Sequence, residues 1–401
     1  MSATQYVYVI VGSGLAGASA AEGIRGRDPE GSILLIGAEH DLPYDRPPLS
    51  KKLWTGKTTV EKIFLHPEPW YAEHGIELLP DTRVAEVDPQ ARLLLLADGR
   101  RIGYDRLLLA TGGIPRTLTL PGAGLPGIFT YRTLGDYRAV RDRAVPDSRA
   151  LVIGSGFIGA EMAAALRMNG VHVTLLYPES RLIPKIFPEG LGRALQKAYT
   201  DRGVEVLSGQ IPVSFRKEGG SLITSTDLGR QIACDFVIAG IGVSPSLELA
   251  ARAGLEMNGG ILVDASLRTS DPHIWAAGDN TNFVFPGLGE RMRLEHWDNA
   301  LQQGGHAGRA MAGDDEPFAA MPYFFSDLFE FGFEAVGDVN ASLETVADWT
   351  KEYDTGAIYY LKDRKVRGVM MCNVWDKIQE ARALIREGKA VHPEDLKGAI
   401  K

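Results

Sequence analysis

Val11-Gly12-Ser13-Gly14-Leu15-Ala16-Gly17 follows the apolar run Tyr6–Val11, and the same figure returns as Ile153-Gly154-Ser155-Gly156-Phe157-Ile158-Gly159 after Ala150–Ile153. Each stretch reads as strand, tight turn, helix. The first glycine makes the turn, the second lets backbone approach a pyrophosphate, and the third packs helix on strand. The pyrophosphate rests on the N–H groups of the helix start, and an acidic residue farther on takes ribose hydroxyls. Glu39 lies 22 residues beyond Gly17, and Glu179 lies 20 beyond Gly159. One such motif is a weak signal, because glycine-rich turns are common. Two, each with its acid at the right distance, point to two dinucleotides on one chain and to electron transfer between them. The fingerprints, 142 residues apart, are the only internal repeat and mark two copies of one nucleotide-binding fold.

The chain has 401 residues, 45% of them hydrophobic and 23% charged, which is a globular composition with room for two or three domains. A net charge of −8 argues against nucleic acid and anionic membranes as partners. Cys234 and Cys372, 138 residues apart, provide neither a disulfide framework nor a metal-ligand spacing, and no metal is expected. The first strand begins by Tyr6, leaving no room for a targeting peptide. No apolar run approaches the ~20 residues of a membrane span. The expectation is a soluble cytoplasmic protein.

Outward from the fingerprints, Ala18–Arg27 reads as helix and Ser32–Ile36 as strand. The proline-rich stretch Leu42–Trp54 excludes a regular helix through its start. Short strands are predicted at Glu77–Leu79, Val84–Asp88, Arg92–Leu96 and Leu107–Ala110, with a hairpin turn at Asp98-Gly99. The second unit continues through Val204–Leu207, hairpin material to about residue 232, and Phe236–Ala239. Ile274–Asp279 reads as a buried strand with a glycine–acid end, and Asn299–Met311 as a helix. After Pro322 come aromatic-rich strands at Phe333–Gly337, Ala357–Leu361 and Val366–Cys372, then a helix at Lys377–Glu387.

Tyr44-Asp45-Arg46-Pro47-Pro48-Leu49-Ser50-Lys51, Ala110-Thr111-Gly112, Ala277-Gly278-Asp279 and the two fingerprints resemble the flavin-dependent pyridine nucleotide oxidoreductases. Within them the chain resembles the ferredoxin reductases of oxygenase systems and, more closely, the apoptosis-inducing factors. The closer features are Lys52-Leu53-Trp54, Leu176-Tyr177-Pro178-Glu179, Leu294-Glu295-His296-Trp297-Asp298 and Gly332–Gly337. The resemblance implies an α/β fold with two Rossmann-like, glutathione-reductase-like domains and a C-terminal α+β domain. Its boundaries are a discontinuous FAD-binding domain at 1–115 and 248–320, an NAD-binding domain at 116–247, and the C-terminal domain at 321–401.

For FAD the resemblance points to Gly12, Gly14, Gly17, Glu39, Arg46, Lys51, Val84, Thr111, Arg132 and Asp279, with His296 and Trp297 near the flavin ring. For NADH it points to Gly154, Gly156, Phe157, Ile158, Gly159, Glu161, Glu179, Lys185, Gly242, Glu295 and His296, with nicotinamide contacts from Phe325, Glu334 and Asn373. Apoptosis-inducing factors carry Trp where Phe325 stands. Phe still stacks but lacks the indole N–H and some area. Ferredoxin reductases usually carry Glu-Ser where this chain has Glu295-His296.

Glu161 is placed in the first turn of its helix, where a solvated acid is the ordinary occupant. Beside paired nucleotide motifs it is instead a candidate to hold the nicotinamide carboxamide and pair with Lys51. Lys51 alone is an ordinary surface lysine; as a cation near flavin N5 it would stabilise the reduced ring. These two are the catalytic candidates. His296 stays open between a structural role and a cofactor contact, and Tyr323-Phe324-Phe325 between core and stacking platform. Arg181 and Lys185 read either as a solvated face or as a 2′-phosphate site. Glu179 opposes a 2′-phosphate by repulsion, which favours NADH. Asp45–Lys52 holds no cysteine, so exchange through a redox-active cysteine pair there is excluded. Electrons therefore leave for a small iron–sulfur protein or another acceptor. Three functions compete: an FAD-containing NADH oxidoreductase with a long-lived FADH–NAD charge-transfer complex, an NADH-dependent ferredoxin or rubredoxin reductase, and a redox-responsive NADH-sensing binding protein with a redox-dependent homodimer.

Overall fold

The fingerprint strands lie at the centres of two parallel sheets. In the computed structural model, which describes residues 3–400, Thr4–Val11 pairs in parallel with Ile33–Ile36 on one side and Arg101–Leu109 on the other. Ile76–Leu79 extends the first side, and Ile274–Ala276 pairs in parallel with Arg101–Leu109. Leu93–Leu96 and Val84–Asp88 add an antiparallel edge. This sheet belongs to a compact unit made of 1–45, 60–114 and 244–323. Val9–Val11, Ile33–Ile36 and Leu107–Leu109, side by side in this sheet, are all buried Val, Ile and Leu, as a sheet covered on both faces requires.

A second unit comprises 46–59, 115–243 and 324–401. Its parallel sheet runs Glu205–Ser208, His172–Tyr177, Arg149–Ile153, Phe236–Ala239, Ile128–Thr130. In both units the strand order reverses beside the fingerprint strand, which is where open α/β sheets bind nucleotides. The second unit also carries an antiparallel hairpin sheet, Pro212–Glu218, Ser221–Thr226 and Gln231–Cys234. Phe215, Leu222 and Ile232 of that sheet pack on Leu151, Ile153, Leu176 and Val237. A five-stranded sheet follows, ordered Tyr323–Leu328, Phe331–Gly337, Lys365–Cys372, Thr355–Lys362, Glu344–Lys351.

The first fingerprint helix spans Leu15–Arg25 rather than Ala18–Arg27, because Gly14, extended at φ −77° and ψ −173°, is already its N-cap. The helix predicted at Asn299 starts at Trp297, with His296 as N-cap. The proline-rich stretch folds as a short 3₁₀ turn, Pro47–Ser50. The strand pattern does not reveal Glu344–Lys351, an edge strand with no clean alternation of buried and exposed residues. Helix Leu134–Arg141 also goes unread; its start is a capping box between Thr133 and Asp136, with Asp where Glu or Gln is usual. Among the described residues no helix is long and apolar enough to cross a membrane.

The glycines of each fingerprint differ in what surrounds them. Gly12 and Gly154 have φ of +116° and +125°, and an added Cβ would lie 2.1 Å from the Ala110 oxygen and 2.3 Å from the Gly240 oxygen. A Cβ on Gly17 or Gly159 would lie 1.9 or 2.0 Å from the carbonyl oxygen of the motif's own first glycine. Around Gly14 and Gly156 a Cβ would meet nothing within 4 Å. Gly154→Ala should therefore cost about 3 kcal/mol or more of folding stability from strain and overpacking. Gly156→Ala should leave stability nearly unchanged. Urea titration and calorimetry of the two variants check this, and equal destabilisation would contradict it.

Candidate functional site

The open glycines face the starts of the helices Leu15–Arg25 and Phe157–Met168. Neither helix has a side-chain N-cap bond, and neither has an acid in its first turn. An uncapped helix start beside open space is a cradle for phosphate. Both dinucleotides therefore fit the residues present.

In the first unit Glu39 follows strand Ile33–Ile36, and the Tyr44 hydroxyl donates to its Oε2 at 2.6 Å. Thr111 Oγ1 donates to the Ser246 carbonyl at 2.9 Å and accepts from Asn280 Nδ2 at 3.0 Å, tying two strand ends together beside half-buried Asp279. Trp297 Nε1 donates to Asp45 Oδ1 at 2.7 Å. Arg293 Nη1 bridges the Asp279 carbonyl at 3.1 Å and the carboxylate of exposed Glu295 at 2.7 Å. Half-buried Val84 starts an edge strand. Burial pushes the His296 imidazole down to about 4, against the opposing charge of Asp279, so the ring is neutral near pH 7.

In the second unit Arg46 Nη1 donates to the Arg132 carbonyl at 2.8 Å, which brings these two expected residues together. Ser155 Oγ donates to Glu179 Oε2 at 2.8 Å. Gly242 turns at φ +101°, and its carbonyl accepts from Arg116 N. The Lys185 side chain is exposed, while its carbonyl accepts from Ala341 N at 2.9 Å. Phe157 sits 6.1 and 6.0 Å from the rings of Phe324 and Phe333, and its neighbour Ile158 is half-buried. Burial and the charge of Asp376 raise the Glu334 carboxyl, whose Oε2 is buried without a partner. Asn373, at φ +45°, accepts from Gly332 N at 2.9 Å.

Glu161 is the fifth residue of its helix, so it lies one turn deeper than the sequence places it. It is 4% exposed, which rules out the solvated helix-start acid. Lys51 Nζ is 2.7 Å from Oε1, and Ser326 Oγ donates to the same oxygen at 2.6 Å. Ser50 Oγ donates to Oε2. Lys51 also lies 5.7 Å from the ring centre of Phe325. The turn presenting Ser50 and Lys51 is pinned from behind. The Leu49 carbonyl accepts both Trp54 Nε1 at 2.8 Å and the Tyr131 hydroxyl at 2.5 Å.

Sequence reasoning missed Ser50, Ser326, Trp54 and Tyr131 as members of this cluster. Ser326 did carry a signal: it is a polar residue at a core-facing position, alternating with buried Phe324 and Leu328. The two cysteines are both buried, and burial pushes their thiols up, Cys234 to about 12.

Residues 6–304 match the family model for pyridine nucleotide-disulphide oxidoreductases, and residues 348–387 match the model for the C-terminal domain of apoptosis-inducing factor. The chain is 36% identical to the ferredoxin–NAD(+) reductase component of the anthranilate 1,2-dioxygenase system of Burkholderia cepacia, over 97% of this chain and 96% of that protein. It is 33% identical to putidaredoxin reductase of Pseudomonas putida, over 97% and 93%. The covalent putidaredoxin reductase–putidaredoxin complex superposes with a TM-score of 0.92 at 32% identity, covering 98% of this chain and 95% of that one.

Glu161→Ala strands the Lys51 ammonium, which is 11% exposed, and should cost about 3 kcal/mol of stability. Replacing both partners by apolar residues, Glu161→Leu with Lys51→Met, should recover most of that loss in urea unfolding. The depressed His296 pKa has its own sign. Between about pH 6.5 and 4 the unfolded chain takes up a proton that the folded chain refuses. Stability is therefore full above this window and falls as pH drops through it. His296→Gln should flatten that slope in unfolding midpoints measured from pH 7 to 4.5.

Proposed function

The chain belongs to the pyridine nucleotide-disulphide oxidoreductase family, and we propose that it acts there as an NADH-dependent, FAD-containing reductase of a small iron–sulfur protein in the cytoplasm. One observation carries this reading: each unit holds a complete fingerprint, with a crowded first and third glycine, an open second one and an acid 20 or 22 residues on. FAD, when bound, accepts hydride from NADH and releases electrons singly. Binding, orientation and charge fall to the chain's own residues.

The first helix start and Glu39 hold one nucleotide, and Asp279 takes a ribityl hydroxyl. The second helix start and Glu179 hold the other, and Phe325 stacks on the nicotinamide. A carboxylate offers about four acceptor positions. Lys51, Ser50 and Ser326 occupy three on Glu161, which leaves one for the carboxamide N–H. The Lys51 cation favours negative charge on the reduced ring. With no cysteine in 45–52 and both thiols buried elsewhere, the electrons go to an outside acceptor.

The match of residues 348–387 to the C-terminal domain of apoptosis-inducing factor favours a second reading, a redox-responsive protein that stays reduced in the presence of NAD⁺ and changes a homodimer surface. Anaerobic stopped flow followed by air separates the two. A reductase turns over a [2Fe–2S] ferredoxin rapidly. A sensor reoxidises slowly, shows a long-wavelength absorbance band and changes its sedimentation coefficient. A colourless protein that cannot be reconstituted with FAD would sink both.

Lys51→Ala and Glu161→Ala should each slow flavin reduction by the equivalent of ~2–4 kcal/mol while FAD stays bound. Rates within about twofold of the parent for both variants would remove these residues from the chemistry. The kcat/KM for NADH should exceed that for NADPH; a clear NADPH preference would mean that Arg181 and Lys185 prevail over Glu179.

A further inference from the structure

The hydroxyl of Ser155 is buried between the first two glycines of the second fingerprint, at 6% exposure, and donates to Glu179 Oε2 at 2.8 Å. Its carbonyl accepts from Ile183 N at 2.9 Å, so the loop after Glu179 folds back onto the same residue. Ile183 is 3% exposed and sits at φ +48°, where a β-branched residue is strained. Such a conformation persists only where its surroundings over-determine it. The loop therefore has one setting, and Ser155 grips it at both ends.

That loop carries two competing groups. Glu179 suits the hydroxyls of an adenosine ribose. Arg181, two residues on, keeps its buried Nε without a partner and spends Nη2 on the Pro184 carbonyl at 3.3 Å. A guanidinium so placed suits a 2′-phosphate. The first fingerprint is wired differently. Ser13 Oγ lies against Gly37, where a Cβ would stand 2.1 Å from it, and the hydroxyl bonded to Glu39 is that of Tyr44. The serine–acid bond is thus a feature of the second site and not a by-product of the motif.

We infer that Ser155 is a coenzyme-selecting positioning residue, which holds the Glu179 carboxylate toward the ribose hydroxyls and so denies a 2′-phosphate access to Arg181. The inference rests on the reading of Glu179 in the proposed function. Without the hydroxyl, Glu179 gains rotamers that point to solvent, and its repulsion of a 2′-phosphate weakens with distance.

The test is calorimetric titration of the FAD-loaded protein with NAD⁺ and with NADP⁺, in the parent, Ser155→Ala, Glu179→Ala and the double variant. Ser155→Ala should lower the NADP⁺-to-NAD⁺ Kd ratio about tenfold. In the Glu179→Ala background the same substitution should do nothing more, because a residue acting through another is non-additive with it. Ser155→Thr, which keeps a hydroxyl, should restore the parent ratio. Ser155→Cys, a weak donor, replaces the alanine variant if that fails to fold. A ratio within about twofold of the parent in Ser155→Ala, or effects that simply add, would overturn the inference while leaving Glu179 as the selector. A Glu179→Ala variant with the parent ratio would overturn the reading of Glu179 and the inference with it.

Discussion

Contact of backbone with backbone, closer than any side chain permits, is the constraint on which both nucleotide folds rest. At Gly17 and Gly159 the helix turns so near its own strand that a methyl group would lie within about 2 Å of a carbonyl oxygen. The same device recurs where the first fingerprint helix meets Trp297–Met311. A Cβ on Gly304 would lie 2.2 Å from the Ala16 oxygen, and one on Gly308 2.1 Å from the Ala20 oxygen. These contacts set the helix axis, and the axis sets where its uncapped N–H groups point. Gly14 and Gly156 are spared any such contact, so the space beside them is left for a ligand.

Glu161 shows how a buried charge is made tolerable. Removing a carboxylate from water costs several kcal/mol, which one ammonium repays only with further hydrogen bonds. Two serine hydroxyls supply them. Unlike a second cation, hydroxyls satisfy the oxygens without changing the net charge. The Lys51–Glu161 pair stays neutral overall and keeps one acceptor position in reserve. The cost moves to the turn Pro47–Ser50, which must be held firmly enough to deliver Ser50 and Lys51 together. Trp54 and Tyr131, bonded to one carbonyl, do that.

The two acids that end the nucleotide strands share a chemistry and differ in their support. Tyr44 steadies Glu39, and Ser155 steadies Glu179. A tyrosine five residues on in the sequence is a local brace. A serine inside the glycine turn of the second fingerprint is a long-range brace, tying that turn to an acid 24 residues on.

The sequence alone carries the two nucleotide folds, because turn, approach and packing glycines are read by backbone sterics within a few residues. It also determined the placing of Glu39 and Glu179, since strand length sets that interval. Helix starts shifted by two or three residues, as Gly14 and His296 took the cap positions themselves. The surroundings of Glu161 were beyond it. Lys51 and Glu161 were readable as a pair of opposite charges beside the two nucleotide motifs, but Ser50 and Ser326 lie 111 and 165 residues from Glu161. The bond from Ser155 to Glu179 spans 24. Hydroxyls carry no charge signature, and even a serine on a core face of a strand, as at Ser326, does not name its partner. Which of the chain's many serines meets a buried carboxylate is decided only when distant strands and turns close on it.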